Sequence, residues 1–374
     1  MRTWFFTETA YPYLPETYES IRVVLPNGIY NPRVGAELYH RYIDEWLHAE
    51  DAGLDIMLNE HHQTATCLDP AAPIMLGILA RESKKARLLI LGNPIANRRQ
   101  PVRVAEEMAM VDNLSRGRIE VGFVRGVPYE ISAVNSNPVR MNERFWEAHD
   151  LIMKAWREHD GPFNWEGRYF HHRQVNIWPR PYQEPHPPVW ITSLSPGSIP
   201  AIADHRYVAA TFLTGFDGSK AIFDAYRERA RETGWEAAND RFAYAALVYV
   251  GETDEEGFAG ARKLMWYIES NRVAPQFINP PGYVPTAAAA KALRNGGSLY
   301  KYSKPDLEGL IAQGIVFAGN PDTVFRQIRT LYEHNGGFGH LLVMGQAGFL
   351  DHKETLRGID MLGREVYPRL RELK

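Results

Sequence analysis

The sequence predicts an α/β protein built as a (β/α)8 TIM barrel with loop insertions at its mouth. Eight short apolar, β-rich runs are spread along the 374 residues, and amphipathic helices alternate with them. Such alternation gives a parallel sheet buried on both faces. The G-x-G-x-x-G turn of an open doubly wound sheet is missing after the early strands, so that architecture is the second choice.

In chain order the strand candidates begin with "RTWFFTE" (2–8), "LDIML" (54–58), "RLLILG" (87–92) and "RIEVGFV" (118–124). "PVWITS" (188–193), "RYVAATFL" (206–213), "FAYAALVYV" (242–250) and "HLLVM" (340–344) complete them. In "VGAELYHRYIDEWLHAEDAG", Leu38, Tyr42, Ile43, Trp46 and Leu47 recur at helical spacing, and Gly53 stops the helix. Pro101 opens a helix in which Val104, Met108 and Val111 share a face before Gly117. Segments 142–159 and 319–337 read the same way. Three stretches, 9–32, 159–187 and 270–318, are too long for ordinary connections. They are expected to extend the mouth of a single domain spanning 1–374.

Composition narrows the function. A 23% charged, 45% hydrophobic chain with net charge −3 shows no basic face, which argues against nucleic acid. The single cysteine, Cys67, excludes an internal disulfide framework and fits a reducing cytoplasm. The apolar start is too short for a signal peptide, and no run reaches the roughly 20 residues of a membrane helix.

Four stretches carry candidate chemistry. "NEHHQ" follows the second strand, where a barrel places its active-site mouth. In extended chain neighbouring side chains diverge, so only one of His61 and His62 faces a pocket squarely. Adjacent histidines do not provide the three or four convergent ligands a metal wants, and no metal is expected. The segment suits a general acid–base imidazole, and equally a satisfied polar cluster closing a strand. In "RGRIEVGFVRGVPYE", Gly122 and Gly126 flank Arg125, a guanidinium placed to fork onto an anion or to sit in a rim salt bridge. In "VWITSLSPGSI", Ser193, Ser195, Gly197 and Ser198 lead into a helix, as in a phosphate loop or an ordinary serine cap. In "LGNPIANRRQP", Asn93 offers an amide to a planar heterocycle. Arg125 and the serine loop together favour a phosphate-bearing ligand.

Taken together these stretches resemble the bacterial luciferase-like family of flavin-dependent monooxygenases. The segment "NPIANRRQPVRVAEEMAMVDNLSRGRIEVGFVRG" is similar to the family's P-x-R-x-A-E-E helix, D-x-x-S-x-G-R turn and G-x-x-R-G strand end. "NEHH", "SLSPGSI" and "AGNPDTVFRQIRTL" resemble its other motifs, so the likeness covers nearly the whole chain. The composition gives a cytoplasmic protein, and the resemblance implies an enzyme that oxygenates a small apolar organic substrate with O2 and reduced FMN through a C4a-peroxyflavin. A separate flavin reductase would supply the cofactor, and the chain would be a homodimer. It assigns His61 as the catalytic histidine, with Glu60 its preceding acid. Arg125, Ser195 and Ser198 fall to the flavin phosphate, Gly197 to the loop's turn, and Asn93 to a position beside the isoalloxazine. There the family often has a non-proline cis peptide, whereas this chain has Pro94. Val124 replaces the cysteine of the luciferase proper, so light emission is not implied. The rival readings are a deazaflavin-dependent hydride-transfer enzyme on the same barrel, a non-catalytic flavin-binding protein, and a metal-dependent hydrolase.

Overall fold

A computed structural model describes residues 1–15, 20, 22–270, 273, 275–284, 286–287, 290 and 306–373. Its strands are β1 (Arg2–Thr7), β2 (Asp55–Leu58), β3 (Leu88–Pro94), β4 (Ile119–Val124), β5 (Phe163–Glu166), β6 (His171–Val175), β7 (Val189–Thr192), β8 (Val208–Phe212), β9 (Phe242–Val250), β10 (Val316–Gly319) and β11 (His340–Gln346). Eight of them close a parallel barrel in the order β1-β2-β3-β4-β7-β8-β9-β11 and back to β1. These are the eight runs read from the sequence, so the TIM-barrel expectation holds.

Side chains alternate across the barrel wall, as strand pleating requires. Trp4, Phe6, Met57, Leu89 and Leu342 pack inside, while Phe5, Ile56, Leu88, Ile90 and Val343 pack outward under the helices. The lower interior is plugged by Trp4 and Trp190, whose rings meet edge to face at 5.5 Å. Each indole N–H has an acceptor, Trp190 on Glu120 (2.6 Å) and Trp4 on His340 Nδ1 (3.2 Å), as buried indoles need.

Helix α1 (Pro32–Asp51) begins with Pro32 behind Asn31, whose side chain accepts from Arg33 N at 3.0 Å. It buries Leu38, Tyr42 and Trp46, each contributing about 1.5–3 kcal/mol by leaving water. After it come α2 (Ala72–Glu82), α3 (Pro101–Ser115), α4 (Met141–Arg157), α5 (Ile199–Asp204), α6 (Gly215–Glu232) and α7 (Asp254–Leu264), and the segment Pro321–His334 supplies a further long helix.

Two features escape the sequence pattern. Segment 159–187 contains the antiparallel hairpin β5–β6. Within 270–318, part of which lies outside the described residues, β10 is a ninth strand of the sheet. It pairs with the carboxyl half of β9, matching Val316 with Leu247 and Gly319 with Val250. Leu213 N donates to Ala245 O, and Leu247 N donates to Ile315 O. Residues two apart bond toward the same side, so β8 and β10 occupy one edge of β9 in succession.

Candidate active site

A cavity of about 520 Å³ opens at the carboxyl ends of the barrel strands. All eight contribute to its wall: Phe6, Met57, Leu91, Val124, Ile191, Ala210, Ala245 and Leu342 come one from each. The small side chains of Ala210 and Ala245 leave the space that Trp4 and Trp190 fill lower down. The volume lies within the range of small-molecule sites, with apolar strand residues at the floor and polar side chains from the loops around them.

The loop after β2 brings its histidines to the wall in different ways. His61 lines the cavity, and its Nδ1 lies 2.9 Å from Glu130 Oε1 and 3.1 Å from the Tyr129 hydroxyl. His62 turns the other way, its Nε2 3.1 Å from Glu60 Oε1. Glu60 also reaches the wall, but both its oxygens accept from Arg98 Nη2, at 2.7 and 2.9 Å. The carboxylate that meets His61 is therefore Glu130, from the turn Pro128–Glu130 after β4, and it also accepts from His62 N. Burial alone would raise the Glu130 carboxyl, but the hydrogen bond and charge of His61 and the His62 contacts bring it below its ordinary range. Glu130 is thus held as an acceptor, so Nδ1 carries the hydrogen. His61 Nε2 has no hydrogen-bond partner among the described residues.

Behind this pair, Asp69 O accepts from His61 N at 3.3 Å. Burial and the nearby Glu60 charge push the Asp69 carboxyl up to about 7. The end of β1 adds Glu8, 1% exposed, which accepts from Asn59 at 3.1 Å; burial raises its carboxyl as well.

Arg125, Ser195 and Ser198 all line the cavity. Arg125 is solvent-exposed and makes no ion pair among the described residues; its guanidinium carbon lies 4.3 Å from the Tyr283 ring centroid. In the serine loop, Ser193 Oγ donates to Ser195 O (2.8 Å) and lies 2.7 Å from Ser198 Oγ. Gly197 sits on this loop outside the cavity wall, and an added Cβ there would meet nothing within 4 Å. The structure does not bring Asn93 to the cavity. Its side chain is fully buried, donating to Gly122 O at 3.2 Å and facing Met108 on α3. Leu91 and Gly92 line the cavity at this level, and a non-proline cis bond joins those two residues. Gly122 serves strand packing, because a Cβ would fall 2.6 Å from Ile90 O.

Sequence reasoning missed Glu130 and Arg22, both in the wall. Glu130 closes the quoted stretch "RGVPYE", and an acid just past a barrel strand's end is a signal of its own.

A barrel whose carboxyl-end cavity holds a histidine beside a buried acid has the form of an enzyme with a candidate active site at the loops after the strands. The family model for luciferase-like monooxygenases matches residues 21–337, and the chain belongs to that family. The 3,6-diketocamphane 1,6-monooxygenase of Pseudomonas putida is 22% identical over 360 residues, covering 86% of this chain and 90% of that one. A 144-residue stretch is 33% identical to an uncharacterized protein of Sinorhizobium fredii, spanning 41% of its length. Among solved structures, the oxygenating constituent of the P. putida 3,6-diketocamphane monooxygenase in complex with FMN superposes with TM-score 0.73 at 20% identity, over 99% of this chain and 98% of that chain. An F420-dependent secondary alcohol dehydrogenase superposes with TM-score 0.68 at 17% identity, over 98% of both chains. At these identities the structural likeness is one of fold.

Proposed function

We propose that this chain is the oxygenase of a two-component system, taking reduced FMN from a separate flavin reductase and using O2 to oxygenate a small, largely apolar molecule. One observation carries the reading: one cavity joins an apolar floor, an acid-held histidine and, beside serine hydroxyls, a guanidinium with no ion pair among the described residues. The donor set fits FMN, because Arg125 with Ser195 and Ser198 suits one phosphate group at the mouth, and the apolar strand residues suit a flat ring below. Among the lining residues only Arg22 and Arg125 carry a permanent positive charge, and Arg125 alone is exposed. That favours a single phosphate over the longer anionic tail of a deazaflavin, although a deazaflavin enzyme shares the fold.

When bound, reduced FMN supplies the oxygen-activating chemistry. The protein's share is placement and proton control. Glu130 holds the His61 ring by Nδ1, leaving Nε2 to exchange a proton with the reacting molecule. Phe6, Met57, Leu91 and Leu342 exclude water from the floor. The same reading has the chain working as a cytoplasmic homodimer.

The test is anaerobic titration of the chain with reduced FMN and with reduced F420, followed by 18O2 and apolar acceptors. Tighter binding of FMN and incorporation of one labelled oxygen atom are expected. Exclusive binding of F420, with hydride transfer and no label, would replace the reading with the deazaflavin one.

A further inference from the structure

From the cavity wall a stack of rings leads outward through the helix layer. Trp146, on α4, lines the cavity. Its indole stacks on His205, the residue after α5, with centroids 5.5 Å apart and planes 17° from parallel. His205 stacks in turn on Tyr207, just ahead of β8, at 5.0 Å and 8°. His149, 1% exposed, meets all three rings, its centroid 5.2 Å from Trp146, 5.0 Å from His205 and 5.5 Å from Tyr207. The stack ends on a proton acceptor. His149 Nδ1 lies 2.8 Å from Asp150 Oδ1, so in the neutral ring that nitrogen carries the hydrogen and Nε2 keeps its lone pair. The Tyr207 hydroxyl, 2.9 Å from Nε2, donates to it. Burial pushes this phenol up to about 12, so it holds its proton as long as it is not oxidised. Asp150 and His205 are exposed, and the network meets solvent there.

Packing asks only that rings touch. It does not ask that the outermost phenol face a histidine backed by a carboxylate. A phenol that loses an electron becomes a strong acid, and a base already within hydrogen-bond reach takes its proton in the same event. We propose that Trp146, His205 and Tyr207, with His149, form a path that carries oxidising equivalents from the cavity to the surface. A one-electron oxidant derived from oxygen, such as a hydroxyl radical, takes an electron from the Trp146 indole and becomes hydroxide. Trp146 recovers that electron from Tyr207 across His205, while the phenolic proton passes to His149 Nε2. The indole is restored, Tyr207 is left as a neutral radical and His149 as an imidazolium. A dissolved one-electron reductant, such as ascorbate, returns the electron to Tyr207, and His149 returns the proton. The path spares Met57, an oxidisable side chain of the cavity floor. This rests on the oxygen-using reading of the cavity and adds an outlet for oxidant that escapes the productive reaction.

The test puts an oxidant at the cavity without flavin. Asn142, exposed at the cavity rim one helical turn before Trp146, is replaced by Asn142→Cys and labelled with a ruthenium polypyridyl photo-oxidant; Cys67 is buried and escapes the label. The labelled full chain is flashed with a soluble electron acceptor, and freeze-quenched samples are read by electron paramagnetic resonance, with FMN titrated in parallel. A tyrosyl radical is expected. Adding Tyr207→Phe keeps the ring stack and is expected to lose that signal, leave a tryptophanyl one and preserve FMN affinity, a pattern that general damage to the fold does not produce. Adding His149→Leu is expected to leave the radical on tryptophan, and adding Trp146→Leu to lose the tyrosyl signal. A labelled parent chain without a tyrosyl radical overturns the inference whether or not FMN binds. So does a tyrosyl radical that survives Tyr207→Phe. A Tyr207 radical in a chain that binds no FMN supports the path and removes the flavin reading.

Discussion

Two acids, similar in the sequence, take different parts around His61. Glu60 has its carboxylate engaged by Arg98 and His62, while Glu130 meets the ring of His61. Replacing His61 by Ala is expected to lower kcat by about 10²–10⁴-fold with little change in FMN affinity, the size of a lost acid–base group. Glu130→Gln is expected to lower kcat more than Glu60→Gln. Steady-state turnover with a reductase and labelled O2 checks both, and equal effects would mean that Glu130 does not position the histidine. Asp69 gives a prediction about stability. Its carboxyl, near 3.8 in the unfolded chain, is raised to about 7 when folded. A raised group binds its proton more tightly in the folded state, so its contribution is complete below about pH 4 and is lost as pH rises through 7. Asp69→Asn stays neutral and escapes that loss. Urea midpoints are expected to favour the variant by a few kcal/mol more at pH 8 than at pH 4. Identical pH slopes would contradict the assigned cause.

At the scale of elements, the eight barrel strands were legible because each is a continuous apolar run between turn signals, and burial on both faces demands that composition. β10 was not, since four residues inside a long Pro- and Gly-rich stretch give no period to read. Asn93 shows a subtler limit. Simple alternation from Leu89 and Leu91, both inside the barrel, places Asn93 inside as well. The β3–β4 register shifts between Ile90 and Asn93, and the side chain turns to Met108. The Glu130 contact was illegible for another reason: it joins loops 69 residues apart, and no local pattern encodes that distance. Close packing makes its own prediction. Gly257 lies in α7, where alanine is ordinarily worth about 1 kcal/mol more than glycine. A Cβ there would come 2.4 Å from the backbone of Gly319, which cannot swing aside. Overpacking against main chain costs typically 1–3 kcal/mol, so Gly257→Ala is expected to be net destabilising by thermal melting. A higher Tm would show that the α7–β10 contact relaxes freely.

For the whole molecule, the barrel fixes where chemistry happens and the loops fix which chemistry. Ligand that binds only the folded chain stabilises it by mass action, about 2.7 kcal/mol at 100 times Kd. FMN at that ratio is expected to raise Tm by a few degrees, and riboflavin, lacking the phosphate, by less. In Arg125→Ala the gap between the two flavins is expected to close; a gap that persists would place the phosphate elsewhere.

The shared edge of β9 has a consequence for how such a chain can change. Barrel closure runs through β8, the first part of β9, and β11, whereas β10 bonds only to residues from Leu247 onward. The ring is sealed without it. β10 is therefore a clip on the rim of a finished vessel, a strand whose pairing can change while the vessel keeps its shape. Diversity in what the vessel holds can accumulate there, one clip at a time, with the wall already closed.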